Sequence, residues 1–195
     1  MKKIGISIMA LTLVVAMSCK KKENKETTVE KQTTTEVKKE VSKPEAKKIK
    51  VSMESKSDSN ASGNVVFKEE DGVVTMTAVF DGLNPGVHAI HLHEKADCSS
   101  KDGKSANGHW NPTSDKHGKW GSQDGYHKGD IGNFTADENG NGTITFETDK
   151  WCIDCGDPKK DIIGKGIILH EGADDFTSQP SGAAGTRVSC GAITQ

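Results

Sequence analysis

The sequence predicts an all-β domain of eight antiparallel strands, folded as a sandwich or a barrel, and three observations carry that prediction. Short β-favouring runs recur at eight places, clusters of Gly, Asn and Asp separate them, and no part of the domain shows a convincing helical period. Two connections, residues 94–130 and 171–185, are too long for hairpins. Long segments without regular structure inside a compact domain are usually functional, so both are expected to be functional loops.

In chain order the runs are IKVSMES (49–55), GNVVFKEE (63–70), VVTMTAVF (73–80), VHAIHLH (87–93), IGNFTA (131–136), GTITFET (142–148), GIILHE (166–171) and TRVSCGAI (186–193). Asp71-Gly72 and the ENGNG at 138–142 are hairpin signals. About 150 residues are enough for a single core, so residues 47–195 are read as one domain.

The chain before residue 47 has a different composition. Residues 1–19 begin with Lys2 and Lys3, continue through an apolar run from Ile4 to Met17 and end at Ser18-Cys19, as a secretory signal does. That run is too short to span a bilayer. A small residue followed by Cys resembles the signal of bacterial lipoproteins, although Ala16 stands where Leu is more usual; the resemblance implies acylation of Cys19 and a membrane tether. Residues 20–46, rich in Lys, Glu and Thr, have no aromatic residue or Gly and cannot bury enough apolar surface to offset their ordering entropy. They are expected to be a disordered linker. The pattern implies an exported chain of the cell envelope, lipid-anchored rather than spanning.

The net charge of −2 hides an asymmetry: residues 51–195 carry 13 basic and 22 acidic side chains, residues 20–50 carry 11 and 6. An acidic globule argues against nucleic acid as a partner, and a basic linker suits an anionic membrane surface. With Cys19 set apart, four cysteines remain, an even number in an exported chain. Cys98 and Cys190 are far apart, Cys152 and Cys155 form a CxxC, and two bridges are expected.

All seven histidines lie at or beyond residue 88. In GVHAIHLHE (86–94), strand alternation sends His91 and His93 to one face and Ile90 and Leu92 to the other. His88 falls in the register of Ile90 and Leu92 and is expected to be hydrogen-bonded and structural, outside the site. The others stand in GHWNP (His109), KHG (His117), HKGDIGN (His127, with Asp130) and ILHEGADD (His170). Imidazoles suit copper and zinc; three imidazoles with one carboxylate suit tetrahedral zinc.

These motifs, with GTRVSCG, stand in the order and spacing of the copper-zinc superoxide dismutases in their bacterial secreted form, which the chain resembles from about residue 60 to 195. The resemblance implies a Greek-key, immunoglobulin-like β-sandwich or barrel and an enzyme that disproportionates superoxide to dioxygen and hydrogen peroxide. It implies copper held by His91, His93, His109 and His170, and zinc held by His109, His117, His127 and Asp130. His109 would join the two metals and supply a proton. Asp174 would link His91 to His117, Cys98 would pair with Cys190, and Arg187 would guide the anion. The residues support the last role independently: this is the sole Arg among 26 basic side chains, and its planar fork suits a small anion.

There are departures from the family. Residues 171–185 contain no Lys, Ala183 stands where Asn is common, and WCIDC (151–155) lies outside the familiar pattern. That CxxC reads either as a local disulfide stiffening an exposed loop or as a thiol pair that accepts or delivers copper. A homodimer is compatible with the resemblance, which does not fix oligomeric state. The competing reading is a module of the same fold that buffers or hands on copper and zinc without turnover. A zinc hydrolase of the HExxH kind is excluded, since neither Glu94 nor Glu171 is followed by the second histidine.

Overall fold

The computed structural model describes residues 46–195. The expected signal at 1–19, the acylated Cys19 and nearly all of the 20–46 linker lie outside the described residues. The eight strands are β1 (Lys47–Ser55), β2 (Ser62–Glu70), β3 (Val73–Asp81), β4 (Gly86–His93), β5 (Gly132–Ala136), β6 (Gly142–Thr148), β7 (Gly166–His170) and β8 (Arg187–Ala192). They close into an antiparallel barrel in the order β1-β2-β3-β6-β5-β4-β7-β8.

Two seams in this barrel are narrow. β5 meets β6 through the pair Ala136–Gly142, and β1 meets β8 through Glu54–Cys190 and Ser55–Ser189. Between them lie two well-paired sheets, β1-β2-β3-β6 and β5-β4-β7-β8, so the sandwich and the barrel expected from the sequence are both apt descriptions.

β3 shows why the strands form: its residues alternate exposed or partly exposed with buried along its whole length, and Val74, Met76, Ala78 and Phe80 face inward. They meet Val65 and Phe67 of β2, Ile90 and Leu92 of β4, and Ile167 and Leu169 of β7 in one core. Asp71 and Gly72, both at positive φ, turn β2 into β3 as their sequence predicts. The ENGNG turn is organised by Asp137, whose carboxylate accepts from the backbone N–H of Asn139 and Asn141.

Both expected disulfides are present. Their worth differs with the ring each closes. Chain-entropy scaling gives about 4.7 kcal/mol for a loop near 100 residues, the class of Cys98–Cys190 with its sequence separation of 92. For the separation of 3 between Cys152 and Cys155 the same scaling gives about 2 kcal/mol.

Candidate metal centre

The site lies on the outer face of the β5-β4-β7-β8 sheet. Alternation in β4 points Ile90 and Leu92 into the core and His91 and His93 outward, yet all four are fully buried, because the two long loops cover that face. The first loop is stitched to β4 by its backbone: Trp110 N–H donates to Leu92 O (2.8 Å), and Leu92 N–H donates to Gly129 O (2.9 Å). Gly129 is required at this contact, since a Cβ there would lie 2.1 Å from Leu92 O. The stitching brings His109 into an isolated bridge opposite His93. His170 ends β7 beside β4. Between Leu169 and His170 the pairing with β8 shifts, so that His170 stands opposite Arg187 rather than Val188.

Two groups of side chains result, and they match the two sets expected from the sequence. His91, His93, His109 and His170 form one; His109, His117, His127 and Asp130 form the other; in each, the donor atoms lie within 4.8 Å of one another. Among the described residues six buried ring nitrogens have no hydrogen-bond partner: His91 Nδ1, His93 Nε2, His109 Nε2, His117 Nδ1, His127 Nδ1 and His170 Nε2. His117 Nδ1 and His127 Nδ1 lie 3.1 and 3.2 Å from the Asp130 carboxylate, outside hydrogen-bonding geometry. Buried polar atoms are rarely left unpaired. Six of them, converging with a buried carboxylate, fit metal ions as the missing partner.

In five of the six rings, those of His91, His93, His109, His117 and His170, the opposite nitrogen is held, which fixes the imidazole. His93 Nδ1 lies 2.8 Å from Asn107 O, and His109 Nδ1 lies 2.8 Å from Asp130 Oδ1. Asp174 sits between the two groups, its Oδ2 2.8 Å from His91 Nε2 and its Oδ1 2.9 Å from His117 Nε2. That is the link expected of it. Gly182, at φ 66°, closes over this link; a Cβ there would lie 1.8 Å from Asp174 Oδ1.

Two amide side chains that sequence reasoning missed clamp the arrangement. Asn133 of β5 donates to Asp174 O and accepts from Asp174 N–H, both at 2.8 Å. Gln179 does the same to His117, accepting from its N–H (3.0 Å) and donating to its O (2.9 Å). Asn133 fixes the second loop on the barrel; Gln179 fixes it on the first loop. The sequence held no signal for either beyond its place: Asn133 closes the HKGDIGN motif and Gln179 stands in a loop already singled out.

The electrostatics of the two groups diverge. Burial, with repulsion from His109 and Arg187, depresses His93 well below the ordinary histidine value; burial and His91 do the same to His170. His109 is lowered to about 4, chiefly by burial and against the pull of Asp130. Burial would lower His117 as well, but the neighbouring carboxylates of Asp130 and Asp174 outweigh it and raise His117 to about 9. Burial would raise Asp130 and Asp174, yet their histidine partners hold both well below the usual carboxylate range.

Arg187 is half-buried, and its Nη1 donates to Gly103 O (2.9 Å). With His109, His170 and Glu94 it lines an open cavity of about 390 Å³ over the all-imidazole group. His88 lies outside both groups, with its ring nitrogens 2.9 Å from His170 O and 2.7 Å from Asn84 O, the structural role expected of it.

Comparison with known proteins agrees with this geometry. A family model described as copper/zinc superoxide dismutase matches residues 61–193. A copper-zinc superoxide dismutase of Aquifex aeolicus is 34% identical over 142 residues, 69% of this chain and 82% of that protein. A copper chaperone for superoxide dismutase from Rattus norvegicus is 35% identical over 122 residues, 59% of this chain and 41% of that protein. Among solved structures, a double mutant of a SOD-like protein from Bacillus subtilis superposes with a TM-score of 0.67 at 30% identity, covering 75% of this chain and 97% of that one.

Proposed function

The chain belongs to the copper/zinc superoxide dismutase family, and from that premise we propose that it disproportionates superoxide at a copper ion joined through His109 to a zinc ion. The observation that carries this reading is the set of six unpartnered, buried imidazole nitrogens, sorted into two groups that share His109.

His91, His93, His170 and His109 Nε2 would hold copper, the group without a carboxylate. His109, His117, His127 and Asp130 would hold zinc, whose tetrahedral preference suits three imidazoles and one carboxylate. Bound copper supplies one-electron redox chemistry, and zinc supplies none. The chain's own residues do the rest. Arg187 presents a permanent positive charge in the cavity above the all-imidazole group, attracts the anion and orients it. His109 Nε2 is buried and unpartnered in the same group and would carry a proton whenever it does not hold the metal; two protons are taken up for each hydrogen peroxide formed from two superoxide anions. Asp174 keeps the rings of His91 and His117 in fixed orientation, a support on which metal affinity commonly depends.

The same reading extends to the chain before the domain. A cleaved signal, an acylated Cys19 and a spacer over residues 20–46 would tether the domain in the cell envelope; the support is the residue pattern alone. Assembly as a homodimer is part of the proposal and is measured by sedimentation.

The likeness to a copper chaperone favours one competing reading, a chain that buffers or hands on metal without turnover. Metal analysis and a dismutation assay on protein supplied with both ions separate the two. Our reading expects one copper and one zinc per chain with rapid dismutation. Arg187→Ala should slow turnover about tenfold or more, in the range of electrostatic steering, while both metals stay bound. Full metal loading without dismutation would establish the hand-on reading instead.

A further inference from the structure

We propose that Cys152 and Cys155 form a second, reducible metal site on the surface of the chain, which in its dithiol state holds one soft monovalent ion, Cu(I), between two thiolates. The pair lies between β6 and β7 and has no part in the two imidazole groups, so the proposal does not depend on the reading above. Cys152 is buried at the foot of the loop and Cys155 is exposed.

The bridge is not what shapes this loop. The Asp161 carboxylate accepts from four backbone N–H groups, those of Asp154 (3.0 Å), Cys155 (2.9 Å), Gly156 (2.9 Å) and Ile163 (3.0 Å). Cys152 is fixed by its own backbone, donating to Lys160 O (2.9 Å) and accepting from Ile162 N–H (3.1 Å). Of the two residues between the cysteines, Ile153 is buried in the core, and its N–H donates to the Glu69 carboxylate (2.8 Å). Trp151, buried on the other side, donates its indole N–H to Lys128 O (2.9 Å). None of these bonds involves sulfur. Opening the disulfide therefore leaves two cysteines whose Cα atoms, now 6.0 Å apart, are held by other groups, within reach of a single ion.

The other bridge behaves oppositely. Cys190 is fully buried and Cys98 is only partly exposed, so a reductant meets Cys155 first. The step balances with a dithiol as co-reactant. One thiolate of the dithiol attacks Cys155 Sγ, a mixed disulfide forms, and Cys152 leaves as a thiolate that takes a proton. The second thiol then attacks its own sulfur in the mixed disulfide and releases Cys155, so two electrons have passed to the pair and the dithiol departs as its cyclic disulfide. Cu(I) then displaces the two thiol protons. Thiolates are soft ligands and select Cu(I) over harder ions.

The test uses the full, metal-free chain. Dithiothreitol is raised stepwise; in one portion freed cysteines are alkylated and mapped by mass, and from a second portion, left unalkylated, the reductant is removed without air. Cu(I), supplied as its acetonitrile complex, is then titrated against bicinchoninate for the natural chain and for the double variant Cys152→Ser with Cys155→Ser. We expect Cys152 and Cys155 to be alkylated at a dithiothreitol concentration that spares Cys98–Cys190. The natural chain should then bind one more equivalent of Cu(I) than the variant, with a thiolate-to-copper absorption that the variant lacks. Equal stoichiometry in the two chains would overturn the proposal. So would opening of Cys98–Cys190 first, or loss of amide protection across residues 151–163 on reduction, which would make the bridge a structural brace. Dismutation by the double variant should be unchanged, so failure here leaves the proposed activity standing.

Discussion

The two sheets of this barrel share a core but differ on their outer faces. In β1-β2-β3-β6 the outer face meets water: Thr77, Val79, Thr143 and Thr145 are exposed, and β3 alternates strictly. In β5-β4-β7-β8 the outer face is covered, so that β7 is buried at every position and β4 from His88 to His93. A strand buried on both faces must satisfy whatever it points outward. Here it points His91 and His93, and the covering loops bring the complementary groups. The first sheet supports the molecule; the second holds its chemistry, and the difference is visible as the place where alternation of burial stops.

That contrast can be broken most severely with acid. In the metal-free chain His93, His109 and His170 have values below that of the unfolded chain, near 6.5, so as pH falls below about 6.5 the unfolded chain takes up protons that the folded one refuses, and stability falls. His117, raised to about 9, acts in the opposite sense: its contribution is full below about 6.5 and is lost as pH rises through 9. Urea unfolding of the metal-free chain at pH 5, 6.5 and 9 should therefore give a maximum near pH 6.5, with a steep acid limb.

Next in size is Asp130→Asn. It leaves the buried, charged His117 without one of its two carboxylate partners and should cost about 3–5 kcal/mol in the metal-free chain at pH 7, with the zinc content of loaded protein lost. Smaller effects come from the amide clamps. Asn133→Ala and Gln179→Ala each remove two hydrogen bonds from a backbone that supports the site, and each should speed zinc transfer to a chelator by about tenfold, with less change in melting temperature than Asp130→Asn. On the exposed sheet the expectation is near silence: Val79→Thr should change unfolding free energy by no more than about 0.5 kcal/mol. A large effect there would show that the outer face of the first sheet has a partner of its own.

The legibility of the sequence follows the same division. All eight strands could be read because β-favouring runs and turn residues mark them locally, and Asp71-Gly72 turns where its chemistry demands. His91 and His93 could be paired from a period of two. The convergence of His109, His117, His127, Asp130 and His170 could not be read from spacing, because it depends on backbone bonds such as Trp110 to Leu92 across the loop; the family resemblance supplied it. Asn133 and Gln179 were illegible in principle, since an amide in a strand or loop announces nothing until its partner peptide is in place. The shift that sets His170 opposite Arg187 was likewise silent, since β7 and β8 read as ordinary strands.

The slender joins at Ala136–Gly142 and at Glu54 and Ser55 have a consequence for how the molecule fails. A closed cylinder offers no rim to a neighbouring chain; here few ladder pairs fasten it, and at the β1–β8 join Lys56 N–H and Ser189 Oγ add bonds to Val188 O and Glu54 O. Parting either join would bare strand edges to other copies of the chain. The loops that bury the histidines are bonded to the strands of the second sheet, at Leu92 and Asn133, so the cover of the site and the support of that sheet are one structure.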